Sequence, residues 1–458
     1  MALAKGVQRL PIGLQGRSKF RELVRRWDWL LIVAMAPAMM FTEARQAWAL
    51  LAIPIVMAVQ GLAWGEVLPV TPLNPAILLL MVMAGVSTIV TPDLAGSFGK
   101  IAGLLYGMAV FFCVARHTRT RARWQGSLIL FTLTGMGVAV VGLAGTKWFT
   151  TKITGLNALT DRLPVRLGGL PGAEAGIHPN ELAGSLLWVI PVIVLAGLAL
   201  VREPKWFTSR SGRGKVGVGQ FKGWAVLLGV ASLVTTGVLI LSQSRGSYLA
   251  IALTGLVLVI LILRGPARWL MIGLLAVDVI AGVILVSQFG WETILSQVID
   301  SLPVGTSAFS ISSLNGRVEI WLRAIWAIKD VPLTGLGMNV FRSAMYELYP
   351  TFQVSAGFNL GHAHNELLQA ALDLGLPGLI GFLAVYIGAL GMLIPSIRSG
   401  GARRLLALGL SGGLLAHFVF GITDAVALGA KPGFLFWWLL GMVYGLYDQC
   451  RQGAVADT

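Results

Sequence analysis

The chain is a succession of apolar runs long enough to cross a bilayer, and this restricts its folding more than any other feature. A helix needs about 20 apolar residues to span the hydrocarbon core. There, backbone N–H and C=O groups must pair within the protein, so such runs fold as helices. Runs of this kind lie near residues 28–41, 46–64, 75–91, 99–115, 125–144, 181–200, 223–241, 248–264, 268–287, 376–396, 405–427 and 433–449. The expected fold class is an all-α integral membrane protein, a bundle of about 12 transmembrane helices with a large extracytoplasmic loop containing amphipathic helices. Composition agrees, with 56% of residues hydrophobic and 12% charged. A soluble globule carries about twice that charge.

The net charge of +15 raises nucleic acid as a partner. The placement of the charge argues against it. With the N-terminus in the cytoplasm, most of the 35 Lys and Arg residues fall in cytoplasmic segments. Arg116, Arg119, Arg121 and Arg123 share one, Arg202 to Lys222 another, and Arg398, Arg403 and Arg404 a third. That asymmetry is the positive-inside signal, so the expected partners include membrane lipid and no nucleic acid. The expected location is the inner (cytoplasmic) membrane, multi-pass, with both termini cytoplasmic.

The organisation follows. Residues 1–27 form a basic cytoplasmic tail, and residues 28–287 carry helices one to nine, with a smaller outer loop at about 145–180. Residues 288–375 form the large periplasmic loop, 376–450 carry helices ten to twelve, and 451–458 form the second cytoplasmic tail. Cys113 and Cys450 offer neither a disulfide framework nor a metal-thiolate spacing. The Gly-rich stretch 209–219 reads as a flexible loop, without the Lys-Ser or Lys-Thr of a P-loop.

The large loop is patterned. A helix capped by Ser313 or Asn315 carries Val318, Trp321, Leu322, Ile325 and Ile328 along one side, which predicts an amphipathic helix on the membrane or the bundle. Pro332 and the following glycines end it. A second helix is predicted from Asn365 through Asp373, broken by Gly375 and Pro377.

Three features on the outer side carry possible chemistry. Ser242-Gln243-Ser244-Arg245-Gly246-Ser247 joins two spans almost without a loop and puts Arg245 at the membrane boundary. That arginine either snorkels or clamps an anion, since its planar fork bonds phosphate oxygens in pairs. Asn315-Gly316-Arg317 is either a helix start or a second cation. Gly361-His362-Ala363-His364-Asn365-Glu366 holds two of the five histidines. The pair could cap a helix, serve as a zinc half-site, or supply a neutral base. A third protein ligand is hard to find, and no metal is expected. The chain has no Asp-x-Asp cluster. An anionic substrate would therefore be neutralised by cations, of which Arg245, Arg317, Arg323, Arg342, Lys147, Lys152, Arg162 and Arg166 are outside.

These stretches resemble the O-antigen ligase and O-antigen polymerase superfamily of bacterial glycan-assembly proteins. Ser242–Ser247 is similar to its arginine-bearing segment, and Asn315-Gly316-Arg317 with Gly335-Leu336-Gly337 to the start of its periplasmic loop. The most specific match is His364-Asn365, then nine residues, then Gly375-Leu376-Pro377-Gly378. His178-Pro179-Asn180 is also similar.

The resemblance implies a metal-independent, inverting glycosyltransferase without a cofactor, working on the outer face of the cytoplasmic membrane. The donor would be a polyprenyl-pyrophosphate-linked glycan, and the acceptor a hydroxyl on a lipid-linked or glycan acceptor. An O-antigen-type polymerase is the alternative within the superfamily. Under this reading His364 is the catalytic base, with Arg245 and Arg317 stabilising the leaving group. Arg342, His362 and Asn365 bind substrate or orient the base. A small-anion (bicarbonate-like) transporter is the rival from another class. Its markers would be ionisable residues inside spans, namely Asp278, His417 and Asp424, which otherwise serve as interhelical hydrogen-bonding groups.

Overall fold

A computed structural model describes residues 21–25, 35–36, 50–66, 68–148, 156, 158, 160, 162–163, 167, 176–208, 218–289, 311–351, 361–426 and 428–456. The described residues form helices and connecting turns, with a single isolated bridge between Thr146 and Ile177. In chain order these are α1 (Ala52–Trp64), α2 (Asn74–Val90), α3 (Leu94–His117), α4 (Arg121–Gly145), α5 (Pro179–Leu187), α6 (Ile190–Arg202) and α7 (Val218–Leu241). There follow α8 (Arg245–Ile262), α9 (Pro266–Phe289), α10 (Ile311–Asp330), α11 (Phe341–Leu348), α12 (Glu366–Arg398), α13 (Gly401–Gly421) and α14 (Phe434–Ala456).

Among the described residues, 7 helices are long and apolar enough to cross a membrane, with α5 and α6 taken as one. Helices α1 and α2 and the first part of α9 are apolar but shorter. The first expected span, at 28–41, lies almost wholly outside the described residues.

The expected sixth span is two helices, because Pro191 has no N–H to give and its ring clashes with the carbonyl one turn back. Helix α14 lies along α3, where Gly107 leaves room for the Trp437 ring. Helix α13 packs on α6, α8 and α12, and α2 on α12. Leu62, Ile89, Leu233 and Ile387 are exposed, which suits a lipid-facing surface.

The helix ends gather at two levels. At one, α3 ends against α1, with the buried Arg116 donating to Gln60 Oε1 at 2.8 Å and Arg119 paired with Glu66 at 2.8 Å. At the other, α7 meets α8, α12 begins and α13 ends. Helix α10 lies against α12 at this second level.

A backbone clasp sets that docking. After α10, the Leu336 N–H donates to the Leu372 carbonyl at 2.8 Å, and the Leu376 N–H donates to the Pro332 carbonyl at 2.7 Å. The contact is this close only because Gly335 faces Gly375. Both have φ near +70°, and a Cβ on Gly335 would lie 2.6 Å from the Leu372 carbonyl oxygen. Gly375 (φ 70, ψ 176) is also the predicted break in α12, and appears as a kink within one continuous element.

Helix α10 starts at Ile311, so Ser313 and Asn315 lie within it rather than capping it. Its buried side is Ile320, Ala324 and Ala327, packed with Phe341 and Met345 of α11. Val318, Leu322 and Ile325 of the expected stripe are exposed on another side.

Candidate functional site

The polar centre of the second level is Asp424, in the loop after α13. It was expected inside the eleventh span, but α13 ends at Gly421 and Asp424 stands beyond it. Its side chain is 3% exposed and well partnered. Oδ2 accepts from Asn180 Nδ2 at 2.6 Å, and Oδ1 accepts from the Ala425 N–H at 3.0 Å. His364 Nδ1 is 3.1 Å from Oδ1, Arg317 Nη2 3.5 Å from Oδ2, and His362 Nε2 3.6 Å from Oδ1. Burial alone would push the Asp424 carboxyl up. The hydrogen bond with His364, the His362 and His364 rings beside it and, least of these, the Arg317 charge prevail and hold it well below the usual carboxylate range.

Because Asp424 is ionised, it can only accept, so His364 Nδ1 carries the hydrogen, and in the neutral imidazole the lone pair is then on Nε2. The same loop fixes the imidazole from behind. His364 has a left-handed backbone (φ 49), its N–H donates to His362 Nδ1 at 3.1 Å, and its carbonyl accepts from Trp321 Nε1 at 3.2 Å. The Ala363 N–H donates to Gln369 Oε1 at 2.8 Å, Gln369 Nε2 to Asp373 at 2.8 Å, and the Asn339 N–H to Asp373 at 3.1 Å. His362 is pushed down by burial, with the Asp424 charge opposing that shift, and so stays neutral at physiological pH.

Arg245 opens α8 at the same level. Gly246 beside it faces Thr423 and Phe420, next to Asp424. Arg245 lies within electrostatic reach of Arg317, so two guanidinium groups share this region. The serines around Arg245 are buried and hold the turn. Ser242 Oγ donates to the Leu239 carbonyl at 2.6 Å, and the Ser244 and Ser247 hydroxyls are 3.0 Å apart.

Asn365 caps α12, accepting from the Leu368 N–H at 3.0 Å, and ties to the Asp424 loop by donating to the Ile422 carbonyl at 2.9 Å. Arg342 is exposed on α11, whose buried residues pack on α10. Arg323 is committed to packing, 3.8 Å from Glu319 and stacked over Trp326 at 4.3 Å.

Residues 230–383 match the family model described as O-antigen ligase. That stretch, about a third of the chain, is similar to the O-antigen ligase family. A search of curated proteins finds no match. The O-antigen ligase match contains Arg245, Arg317, Arg342, His362, His364 and Asn365, but Asn180 and Asp424 lie outside it. Three residues of the matched stretch, Arg317, His362 and His364, therefore converge on a carboxylate supplied by the chain beyond it.

Sequence reasoning placed Asp424 among membrane-core residues, although a carboxylate at the end of an apolar run, just before the turn around Pro432, was a usable signal. It also passed over Lys100. That residue interrupts an apolar run, and its charge acts on His362. His178 acts there too, while capping α5 through Nδ1, which accepts from the Asn180 N–H at 3.2 Å. His417 is no open transport-path group. It is fully buried, stacked on Trp188 at 4.0 Å and within 3.3 Å of Glu366. The Asp278 side chain lies outside the described residues.

Among the described residues, His362, His364 and Asp424 are the group that could hold a metal ion, with ligand atoms all within 4.8 Å of one another. Arg317 pairs with that same carboxylate, so a cation placed there would meet a guanidinium charge. The arrangement favours the ion pair.

Proposed function

We propose that the chain is a glycosyltransferase of the O-antigen ligase type, moving a glycan from a polyprenyl-pyrophosphate donor to an acceptor hydroxyl at the outer face of the cytoplasmic membrane. One observation carries the reading: Asp424 joins His364 and Arg317, from distant parts of the chain, into one cluster beside Arg245. A base and two cations near a lipid-level boundary suit a neutral nucleophile attacking a sugar that leaves a diphosphate.

His364 Nε2 takes the acceptor's hydroxyl proton as the oxygen attacks the anomeric carbon from behind. The bond from that carbon to the pyrophosphate oxygen breaks, and its electron pair leaves with the phosphate. Configuration inverts. Arg245 and Arg317 stabilise the charge gathering on the leaving group, as fixed cations do in a partly dry site. Asp424 holds the imidazole in the useful tautomer and balances the positive charge it acquires. His362 and Asn365 hold the loop, and Arg342 stands further out as a cation for the bound glycan.

The basic helix ends at the opposite level support an outward-facing site. Arg116, Arg119, Arg202, Arg264, Arg404 and Arg451 all lie at that level, which the positive-inside rule assigns to the cytoplasm. The full count of about 12 spans, with the periplasmic loop between the ninth and tenth, belongs to the same proposal.

The test is transfer by purified protein in proteoliposomes from a polyprenyl-pyrophosphate glycan. His364→Ala protein that stays folded and still transfers at the wild-type rate would refute the mechanism. Deleting the gene and analysing surface glycans separates the two members of the superfamily. Loss of all attached glycan marks a ligase, and single attached repeats mark a polymerase.

A further inference from the structure

A polar cavity lies at the opposite level from Asp424, where α6 and α8 end and α13 begins. Helix α13 has 21 residues, a rise of about 31 Å, so the cavity and Asp424 stand a bilayer core apart. The cavity has a volume of ≈ 530 Å³, within the range of ligand pockets. Arg202, Arg264 and Arg404 line it with Glu203, and Ile262 and Leu405 give it an apolar wall.

The charge is unbalanced. Among the described residues, Glu203 is the one carboxylate in the lining, and its Oε2 accepts from the Ala402 N–H at 2.9 Å, capping α13. That position already favours a negative group. Arg404 donates to the Leu261 carbonyl through one nitrogen of its guanidinium, a group with five N–H donors. Arg202 and Arg264 are exposed at the helix ends. Arg403 adds a further cation at this level, close enough to act on Arg121.

We infer that this cavity binds the phosphate headgroup of an anionic phospholipid. Three guanidinium groups meet the phosphate, and an acyl chain follows the apolar wall. A free phosphate would use the cations but leave that wall in water. Exposed Val259, about one turn before Ile262, continues the apolar surface along α8, as a lipid-facing helix requires. Basic pockets between helices on the cytoplasmic side are the usual seat of such headgroups. The assignment is independent of the chemistry at Asp424.

Native mass spectrometry of the full-length protein with phosphatidylglycerol tests it, with thermal unfolding in detergent as the folding control. The expected result is a retained phosphatidylglycerol in the wild type. Each arginine removed should weaken binding about fivefold, and Arg202→Gln with Arg264→Gln about 30-fold together. Arg264→Gln alone, at an exposed position, serves should the double variant unfold. Arg451→Gln, at the same level on α14, should bind as the wild type does. Equal losses from Arg451→Gln and Arg264→Gln would reduce the effect to general surface charge and overturn the site. Stabilisation by glycerol phosphate matching that by phosphatidylglycerol would overturn the lipid assignment in favour of a soluble anion.

Discussion

His364 and Asp424 lie 60 residues apart in the chain and 3.1 Å apart in space. The contact decides which nitrogen of His364 bears hydrogen, and so which one can accept a proton from substrate. Asp424→Asn tests this directly. An Asn amide can donate to Nδ1, which would favour the opposite tautomer and place the hydrogen on Nε2, where the base must be empty. Its kcat should fall nearly as far as that of His364→Ala, expected at about 100- to 10,000-fold. KM for the donor should change less. Asp424→Glu, which keeps the carboxylate, should recover part of the rate. Steady-state kinetics in proteoliposomes check all three.

Arg245 and Arg317 should fail differently from the base. A lysine keeps the charge but loses the planar fork. Arg245→Lys should cost about 100- to 1,000-fold in kcat, the usual value of one well-placed group at a developing anion. Arg317→Lys should in addition disturb Asp424, because the Arg317 guanidinium is one of its partners. A double-mutant cycle of Arg317→Lys with Asp424→Asn should therefore be strongly non-additive, whereas Arg245→Lys with Asp424→Asn should be closer to additive. Additivity in the first cycle would separate the two residues functionally.

The clasp between α10 and α12 should be intolerant of side chains. Gly375 has φ 70, and a Cβ there would strike the Leu333 carbonyl; Gly335 has φ 69 and meets the Leu372 carbonyl. Each Gly→Ala change should destabilise by about 1–3 kcal/mol. Because the two glycines face each other, the double change should cost less than the sum. Activity should fall with stability, since the clasp holds the helix carrying Arg317 against the one that follows His364. Thermal unfolding and transfer rate, measured on the same preparations, check this.

What was legible in the sequence follows from the range of the physics. Apolar runs report local burial, so helices such as α3, α4 and α8 stand close to the expected spans. The motif residues Arg245, Arg317 and His364 were visible because each sits in a short polar stretch flanked by apolar residues. Asp424 was visible too, but its role depends on contacts with Asn180, Arg317 and His364, none of them near it in sequence. The break at Trp188–Val189 was missed because hydropathy is blind to the N–H that Pro191 lacks. The buried side of α10 was misread for a related reason. Its small residues Ala324 and Ala327 pack closely, while the bulkier Val318 and Leu322 are left outside.

The depressed Asp424 carboxyl also predicts how stability varies with pH. Its folded-state pKa lies below the ordinary carboxylate value, so the unfolded chain binds more protons over the window between them. The stability it contributes is therefore present above the unfolded pKa of about 3.9, and is lost as pH falls through the folded value. Asp424→Asn removes hydrogen bonds to a charged acceptor. It should cost about 2 kcal/mol at pH 7, with the Arg317 share discounted for solvent screening. That difference should stay flat between about pH 7 and pH 5 and shrink only below about pH 4, where the carboxyl of the unfolded wild-type chain begins to take a proton while the folded one is still ionised. Unfolding of wild type and variant in parallel across this range measures it. A gap that already closes at pH 6 would mean that Asp424 is not the buried, fully ionised partner of His364 and Arg317 described above.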